Sequence, residues 1–393
     1  MTPAQRARLF AAACAGIFVF GIVLALLGTM FGLPGVRERY GLDLAAQGDL
    51  FLLLFLGIFA TTTVAGPLCD RFGARPVLGV SSALVALALL AFARAHTFGG
   101  AALAAFTLGV GGGGLNTVNN VLVSDLYDAG RAPRLNVLGT FFGIGALLIP
   151  LTAATLIERI SLDQMLLASA GLAVVSAAAY LALPFPPPRE LEDFSPRRAL
   201  DVLRYPGVLL FATLLFFQSG SEASIGGWTS TYANARGWPP ETATRLLAGY
   251  WAALMLGRLA SARLLAHASK PAVVFASGVA AATGSLLLLL ADAPWLMVAG
   301  VVVLGAAFAP IYPTVLAMVG DRYRRYSGSV FSALFSIALV GGMVFPWAVG
   351  HVAQRAGVAS GMVLPLVASV MVAVLVIAVA RRDAAAGGNS HGR

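Results

Sequence analysis

The chain alternates long apolar segments with short polar connections, and this alternation recurs along all 393 residues. Each apolar segment is long enough to cross a bilayer core of ~30 Å as a helix. None shows the strict apolar–polar alternation of a membrane barrel strand. The pattern predicts an all-α membrane protein with twelve transmembrane helices, near residues 9–31, 46–68, 76–93, 99–124, 135–158, 163–184, 207–230, 243–266, 271–291, 294–318, 328–351 and 358–381.

Composition agrees with a chain whose outer surface faces lipid. Apolar residues make up 59% of the chain, charged residues only 11%, and the mean hydropathy is +0.86. A soluble domain of this size would carry more charge. The net charge of +9 comes from dispersed basic residues, so no nucleic-acid partner is expected. Cys14 and Cys69 lack partners at ligand spacing, so neither a disulfide nor a metal site is expected.

The distribution of basic residues predicts the orientation. With the N-terminus inside, inner loops and termini hold 19 of the 26 Lys and Arg residues, which places both termini in the cytoplasm of a bacterial inner membrane. A polar, proline-rich stretch divides the spans into two sets of six. The expected organisation is a first six-helix bundle, a cytoplasmic linker, a second six-helix bundle and a cytoplasmic tail, at residues 1–184, 185–206, 207–382 and 383–393.

An internal repeat supports the two halves. A gap-free shift of 196 residues superimposes chemically matching positions at the ends of the fourth and tenth spans and within the fifth and eleventh. The matching pairs are Gly109 and Gly305, Asp125 and Asp321, Tyr127 and Tyr323, Gly145 and Gly341, and Pro150 and Pro346. The two bundles are therefore predicted to be parallel copies of one fold.

The connection between the second and third spans carries a charged motif. Its sequence runs G-x-x-x-D-R-x-G-x-R from Gly66 to Arg75. The motif resembles the signature loop of the major facilitator superfamily. That resemblance implies a substrate site between the bundles at mid-membrane, and a charge network of Asp70, Arg71 and Arg75 that latches one end. Arg258 lies where the second-half counterpart falls, and is expected to act as a gate or to extend its charge toward the membrane surface rather than to contact the solute.

Four further stretches resemble the fucose permease and sodium-dependent glucose transporter branch of that superfamily. They are the seventh-span stretch Gln218 to Tyr232, together with Phe141 to Ala146, Tyr250 to Arg258 and Ala309 to Thr314. This resemblance implies a secondary transporter of a small neutral polar solute, most similar to a hexose carrier.

Polar residues inside the spans are the candidate site. Glu222 is the one acidic residue well inside an apolar segment, and it could accept bonds from hydroxyls or bind H⁺ or Na⁺, or else brace helices. Asn116, Asn119 and Asn120 fall within roughly 100° of arc, facing a cavity or bonding between helices. Aromatic rings suit sugar binding, and the candidates are Trp228, Tyr232, Tyr250 and Tyr312.

Other readings remain open at this level. Proton-coupled fucose permeases use acidic residues in the first and fourth helices, where this chain has none and asparagines respectively, so sodium coupling and uncoupled diffusion stay possible. An exporter of amphipathic or drug-like compounds is the alternative transport function, and a non-transporting receptor is a third. No catalytic constellation occurs, so neither an enzyme nor a cofactor is expected. The chain is expected to act as a monomer in the bilayer.

Overall fold

The computed structural model describes residues 1–127, 131–186, 204–265, 267–323 and 327–388, and these are helical apart from short turns. The all-α prediction is confirmed. Residues 187–203, most of the expected linker, and residues 389–393 of the expected tail lie outside the described residues. The helices of the first half are α1 (Pro3–Met30), α2 (Val36–Tyr40), α3 (Leu44–Phe72), α4 (Ala74–Arg94), α5 (Phe98–Leu126), α6 (Arg131–Leu156) and α7 (Leu162–Ala182).

The second half repeats this order of long antiparallel helices. Its helices are α8 (Pro206–Ala235), α9 (Pro240–Leu265), α10 (Lys270–Leu289), α11 (Pro294–Phe308), α12 (Ile311–Arg322), α13 (Ser327–Ala356), α14 (Val358–Gly361) and α15 (Val363–Gly388). We call the end that holds residue 3 and the last described residues the terminal end, and the opposite end the far end.

Eleven stretches of the described chain are long and apolar enough to span a membrane. One of them combines α11 and α12, which are separated by a break at Ala309 and Pro310. Pro310 and Pro313 each lack a backbone N–H, which accounts for the interruption. The helix α9 also has spanning length but is more polar, since it carries Arg245 and Arg258. Counting α9, the predicted twelve spans are present.

The motif between α3 and α4 forms a sharp hinge. Gly73 ends α3 and begins α4 with φ = +79°, a conformation that residues with a side chain rarely adopt. The hinge explains why glycine stands at this place in the motif. It also leaves Asp70 and Arg71 exposed on the last turn of α3.

A small polar cluster fixes the far end of the first bundle. In the short helix α2, the Tyr40 hydroxyl donates to the Phe92 carbonyl at 2.8 Å, and Arg39 pairs with Asp163 of α7 at 2.6 Å. Burial raises the pKa of Tyr40 to about 12, so its hydroxyl remains a donor at neutral pH. These contacts tie the connection after α1 to the helices α4 and α7.

Helix packing builds two bundles that meet along a seam. The helix α1 packs on α5, α6 and α7, while α8 packs on α13 and α15. Contacts of α3 with α13, of α6 with α9 and of α1 with α8 form the seam. Of the candidate spans, α1 is the most enclosed, with 72% of its central window buried. The seam is therefore the place where a site between the bundles can form.

Candidate functional site at the seam of the two bundles

The seam is closed at the far end. The backbone of Gly48 on α3 packs directly against that of Gly350 on α13, an approach that leaves no room for a side chain on either residue. The Leu44 amide donates to Gln354 Oε1 at 3.0 Å, and Asn234 Nδ2 donates to the Gly32 carbonyl at 3.0 Å. Both bonds cross from one bundle to the other, so polar contacts as well as the glycine packing join the bundles at this end.

The terminal end has a different character. Asp70 and Arg71 are exposed and form no ion pair with each other or with another described residue. Arg75 donates to the Leu181 carbonyl, within its own bundle. The expected charge network is therefore not formed among the described residues.

An ionic pair lies at the seam between the two bundles. Glu222 on α8 faces Arg258 on α9, with Oε1 3.6 Å from Nη2, and its Oε2 accepts from Gln218 Nε2 at 3.2 Å. The Glu222 and Arg258 side chains are 19% and 34% exposed, so both reach solvent-accessible space. A separation of 3.6 Å is too long for a hydrogen bond, which leaves donors of the guanidinium and an acceptor of the carboxylate available.

Aromatic rings surround this pair. The Arg258 guanidinium carbon lies 5.5 Å from the ring centre of Phe142 on α6, across the seam. Phe142 in turn meets Trp251 edge to face, with centroids 6.2 Å apart. The half-buried Tyr312 stacks on Phe335 at 6.1 Å. The seam therefore combines one neutralised ion pair with aromatic surface from both halves.

The amides of α5 divide into two groups. Asn119 is fully buried: its Oδ1 accepts from the Tyr180 hydroxyl at 2.8 Å and its Nδ2 donates to the Leu115 carbonyl at 2.8 Å. The expectation that Asn119 faces a cavity is therefore corrected, since a buried tyrosine occupies its amide. Asn116 is half-buried, and Asn120 is exposed and donates to the Asn116 carbonyl.

Helix geometry shows where the two accessible amides point. Leu103 and Val121 are 67% and 46% exposed and lie five turns apart on one face of α5, which marks the lipid side. Asn116 is rotated about 140° from this face and Asn120 about 100°. Asn116 is thus turned away from lipid, whereas the exposed Asn120 lies to one side of the lipid-facing surface.

Three of the predicted aromatic contacts have structural partners. Trp228 is fully buried, and its Nε1 donates to the Pro346 carbonyl at 3.1 Å. The Tyr232 hydroxyl donates to the Leu288 carbonyl at 3.0 Å, and the Tyr250 hydroxyl to the Glu222 carbonyl at 3.3 Å. Only Tyr250 is thereby joined to the ionic pair. All three side chains are buried, so the expectation that they contact solute is corrected for Trp228, Tyr232 and Tyr250.

One polar cluster at the seam was not anticipated from the sequence. Asp49 of α3 contacts Trp347 and His351 of α13 at the far end. Asp49 falls three residues into an apolar segment, and Trp347 and His351 are spaced four apart on one helical face. These are the signals that could have revealed the cluster.

The comparison with known families decides the class of this fold. The model of the Major Facilitator Superfamily matches residues 13–346. The chain belongs to this superfamily. It is a multi-pass membrane protein that transports a small-molecule solute, and it is not an enzyme.

Relatives of this transporter match along most of their length. The uncharacterized transporter y4wD of Sinorhizobium fredii is 24% identical over 356 residues, covering 87% of this chain and 90% of its own. Protein TsgA of Escherichia coli is 21% identical over 364 residues, covering 91% of both chains. Its bacterial relatives agree with an inner-membrane location.

Solved structures share the fold. The nucleoside transporter NupG superimposes with a TM-score of 0.78 at 15% identity, over 96% of this chain and 98% of its own. A bacterial homolog of the human lysosomal transporter Spinster, in an inward-facing and unoccupied conformation, gives 0.77 at 14% identity, over 97% and 98%. At these identities the likeness shows the fold alone.

Proposed function

We propose that this transporter moves a small, neutral, hydroxylated solute, a hexose-type sugar, by alternating access. Glu222 is the site of the coupling ion, H⁺ or Na⁺, and Arg258 is the gate beside it. The four stretches that resemble the fucose permease and glucose transporter branch support the choice of solute. The termini lie in the cytoplasm and the monomer is the working unit.

The Glu222–Arg258 pair at the seam is the observation that carries this proposal. An unpaired charge at this depth would cost several kcal/mol, and here each charge offsets the other. The pair presents no net charge to a solute, which favours an uncharged ligand. Its spare donors and acceptor match a ligand rich in hydroxyls, because a hydroxyl both donates and accepts.

Groups of both halves complete the site. Asn116 and Asn120 of the first half are half-buried and exposed, respectively, and amides offer both donors and acceptors to hydroxyls. Tyr312 of the second half supplies an aromatic face of the kind on which sugar rings stack. Substrate contacts are therefore proposed for Asn116, Asn120, Glu222 and Tyr312.

Alternation gives the charged motif its role. Asp70 and Arg71 are exposed, and Arg75 is bonded within its own bundle. When the terminal end closes, the motif meets the opposite bundle and its charges latch the closed state. The far-end contacts open in the same step, which moves the seam's opening from one membrane face to the other.

Counterflow of labelled hexoses into proteoliposomes tests the proposal. The assay needs only binding and alternation, so it works with any coupling ion. It is run with and without Na⁺ and at two pH values, and we expect saturable accumulation of one sugar. Asn120→Ala should raise its half-saturation concentration, whereas Thr283→Ala, on the exposed surface of α10, should not.

A second candidate rests on the apolar part of the seam. Phe142, Trp251 and the Met255 side chain that packs on Gly143 form a buried apolar contact between the bundles, which would suit an amphipathic compound once the bundles separate. If folded protein accumulates no hexose in counterflow but moves an amphipathic dye, the solute is of this kind and the chain is an exporter.

A further inference from the structure

Asp49 joins the two bundles through a single oxygen atom. Its Oδ1 accepts from Trp347 Nε1 at 3.0 Å and lies 3.0 Å from His351 Nε2. The Trp347 and His351 rings are in contact, with centroids 4.6 Å apart. Asp49 belongs to α3 and both of its partners to α13, so every bond of this cluster crosses the seam.

The position of the cluster ties it to alternation. It lies beside Gly48 and Gly350, where the two backbones meet. Opening the far end must separate α3 from α13, and this separation breaks both contacts of Asp49. The cluster therefore exists only in the conformation that is closed at the far end. Contacts present in one state and absent in the other shift the equilibrium between them.

The cluster can take up a proton from solution. The side chains of His351 and Asp49 are 33% and 36% exposed, so water reaches both. Histidine is the side chain whose charge ordinarily changes between pH 5 and 8. Neutral His351 can give Asp49 a hydrogen bond, whereas protonated His351 gives it an ion pair as well. Protonation of His351 therefore strengthens a contact that crosses the seam.

Other charged groups at this end have their own partners or lie apart. Asp43 caps α3 by accepting from the Ala46 amide. Arg37 of α2 donates to the side-chain oxygen of Gln47 when the Gln47 amide is oriented with that oxygen toward the guanidinium. The helices that pack on α3 and α13 contribute Arg94 in the last turn of α4 and Arg236 at the end of α8, which donates to the Ala291 carbonyl. On α13 itself, Arg355 lies one turn beyond His351.

We infer that Asp49, Trp347 and His351 form a proton-strengthened latch that holds the far end shut. The three are positioning residues for alternation and need not touch the solute. The inference rests on the alternating-access part of the proposed function, and not on the identity of the sugar. On the predicted orientation, the latch faces the outside of the cell, so an acidic exterior would keep the carrier open to the cytoplasm.

Distance measurements between spin labels across the far end test the latch. Labels are placed at Glu38→Cys and Ala359→Cys, on exposed residues of opposite bundles, after Cys14 and Cys69 are replaced by alanine. The full chain is reconstituted in nanodiscs and measured at pH 5 and pH 8 without solute. We expect the ratio of far-end-open to far-end-closed molecules to rise about three- to five-fold at pH 8, the range of one partly exposed ion pair.

Three variants separate the latch from ordinary stability. His351→Gln keeps a hydrogen-bond donor but cannot titrate, so its distances should not change with pH. Asp49→Asn removes the charge and should open the far end at both pH values. Asp163→Asn breaks the Arg39–Asp163 pair, which lies at the same end but within one bundle, and should behave like wild type.

Identical distance distributions at both pH values in wild type, Asp49→Asn and His351→Gln would overturn the latch. A pH response that persists in His351→Gln would also overturn the latch. Hexose counterflow on the same preparations keeps the two proposals apart. A protein that moves no hexose but shows the expected distances retains the latch and loses the sugar.

Discussion

Asn119 and Asn120 are neighbours on α5, and their replacement by alanine should have opposite consequences. Asn119 is fully buried and joins Tyr180 to the backbone of its own helix. Removing its amide leaves the Tyr180 hydroxyl with the Ala12 carbonyl at 3.0 Å, so that hydroxyl is not orphaned. The loss is then one buried hydrogen bond and a small void, worth about 1–2 kcal/mol.

Asn120 is exposed, and its Nδ2 bonds only to Asn116 one turn earlier. Asn120→Ala should change stability by less than about 0.5 kcal/mol. If Asn120 donates to the solute, the lost bond of about 1 kcal/mol raises the half-saturation concentration roughly five-fold.

Thermal unfolding and counterflow, measured on the same purified variants, check this pair of expectations. Asn119→Ala should unfold a few degrees below wild type and retain the half-saturation concentration of the fraction that remains folded. Asn120→Ala should unfold with wild type and bind more weakly. The reasoning is refuted if Asn119→Ala is as stable as wild type and loses solute affinity, because the buried amide would then act on the solute.

Three further substitutions probe the seam. Glu222→Gln should keep counterflow and lose accumulation driven by a Na⁺ or pH gradient; wild-type accumulation under every gradient would remove its coupling role. Arg258→Ala leaves the Glu222 carboxylate without its partner and should reduce the counterflow rate at least ten-fold. Arg245→Ala, which breaks the surface pair with Glu241, is the control. Equal counterflow rates in the two variants would contradict the proposed site. Gly350→Val places a side chain against the α3 backbone and should widen the spin-label distance at the far end, whereas Gly171→Val, in open space, should not; unchanged distances in both would argue against glycine-mediated closure.

Hydrophobic patterning was sufficient to predict the fold because each span had to be continuous, apolar and of bilayer length. The motif from Gly66 to Arg75 indicated the family. Gly73 within it is explained by the hinge between α3 and α4, which requires a positive φ. The span at 243–266 was predicted from its apolar segment even though α9 carries Arg245 and Arg258. The length and apolarity of a span, and the motif, each depend on residues close together in the chain, so they can be recognised from the sequence alone.

The site was harder to predict because it depends on which face of each helix meets the other bundle. Three asparagines within 100° of arc appear equivalent from spacing alone, yet Tyr180 of α7 engages only Asn119. The pairing of Glu222 with Arg258 joins two helices across 36 positions of sequence, and the Asp49 cluster spans about 300. Such contacts depend on how separate helices pack, which hydrophobic periodicity does not predict.

The enclosure of α1 changes how substitutions in this chain should be interpreted. With a hydropathy of 2.7, α1 is among the most hydrophobic of the spans, and it is also the most enclosed. Leu26 of α1 is fully buried, whereas Val175 of α7, a less hydrophobic span, is 66% exposed. A change of side-chain volume at Leu26 meets fixed protein neighbours, and the same change at Val175 meets acyl chains that rearrange. In this transporter, tolerance to a change of side-chain size therefore cannot be ranked from hydropathy, and α1 is expected to tolerate such changes least.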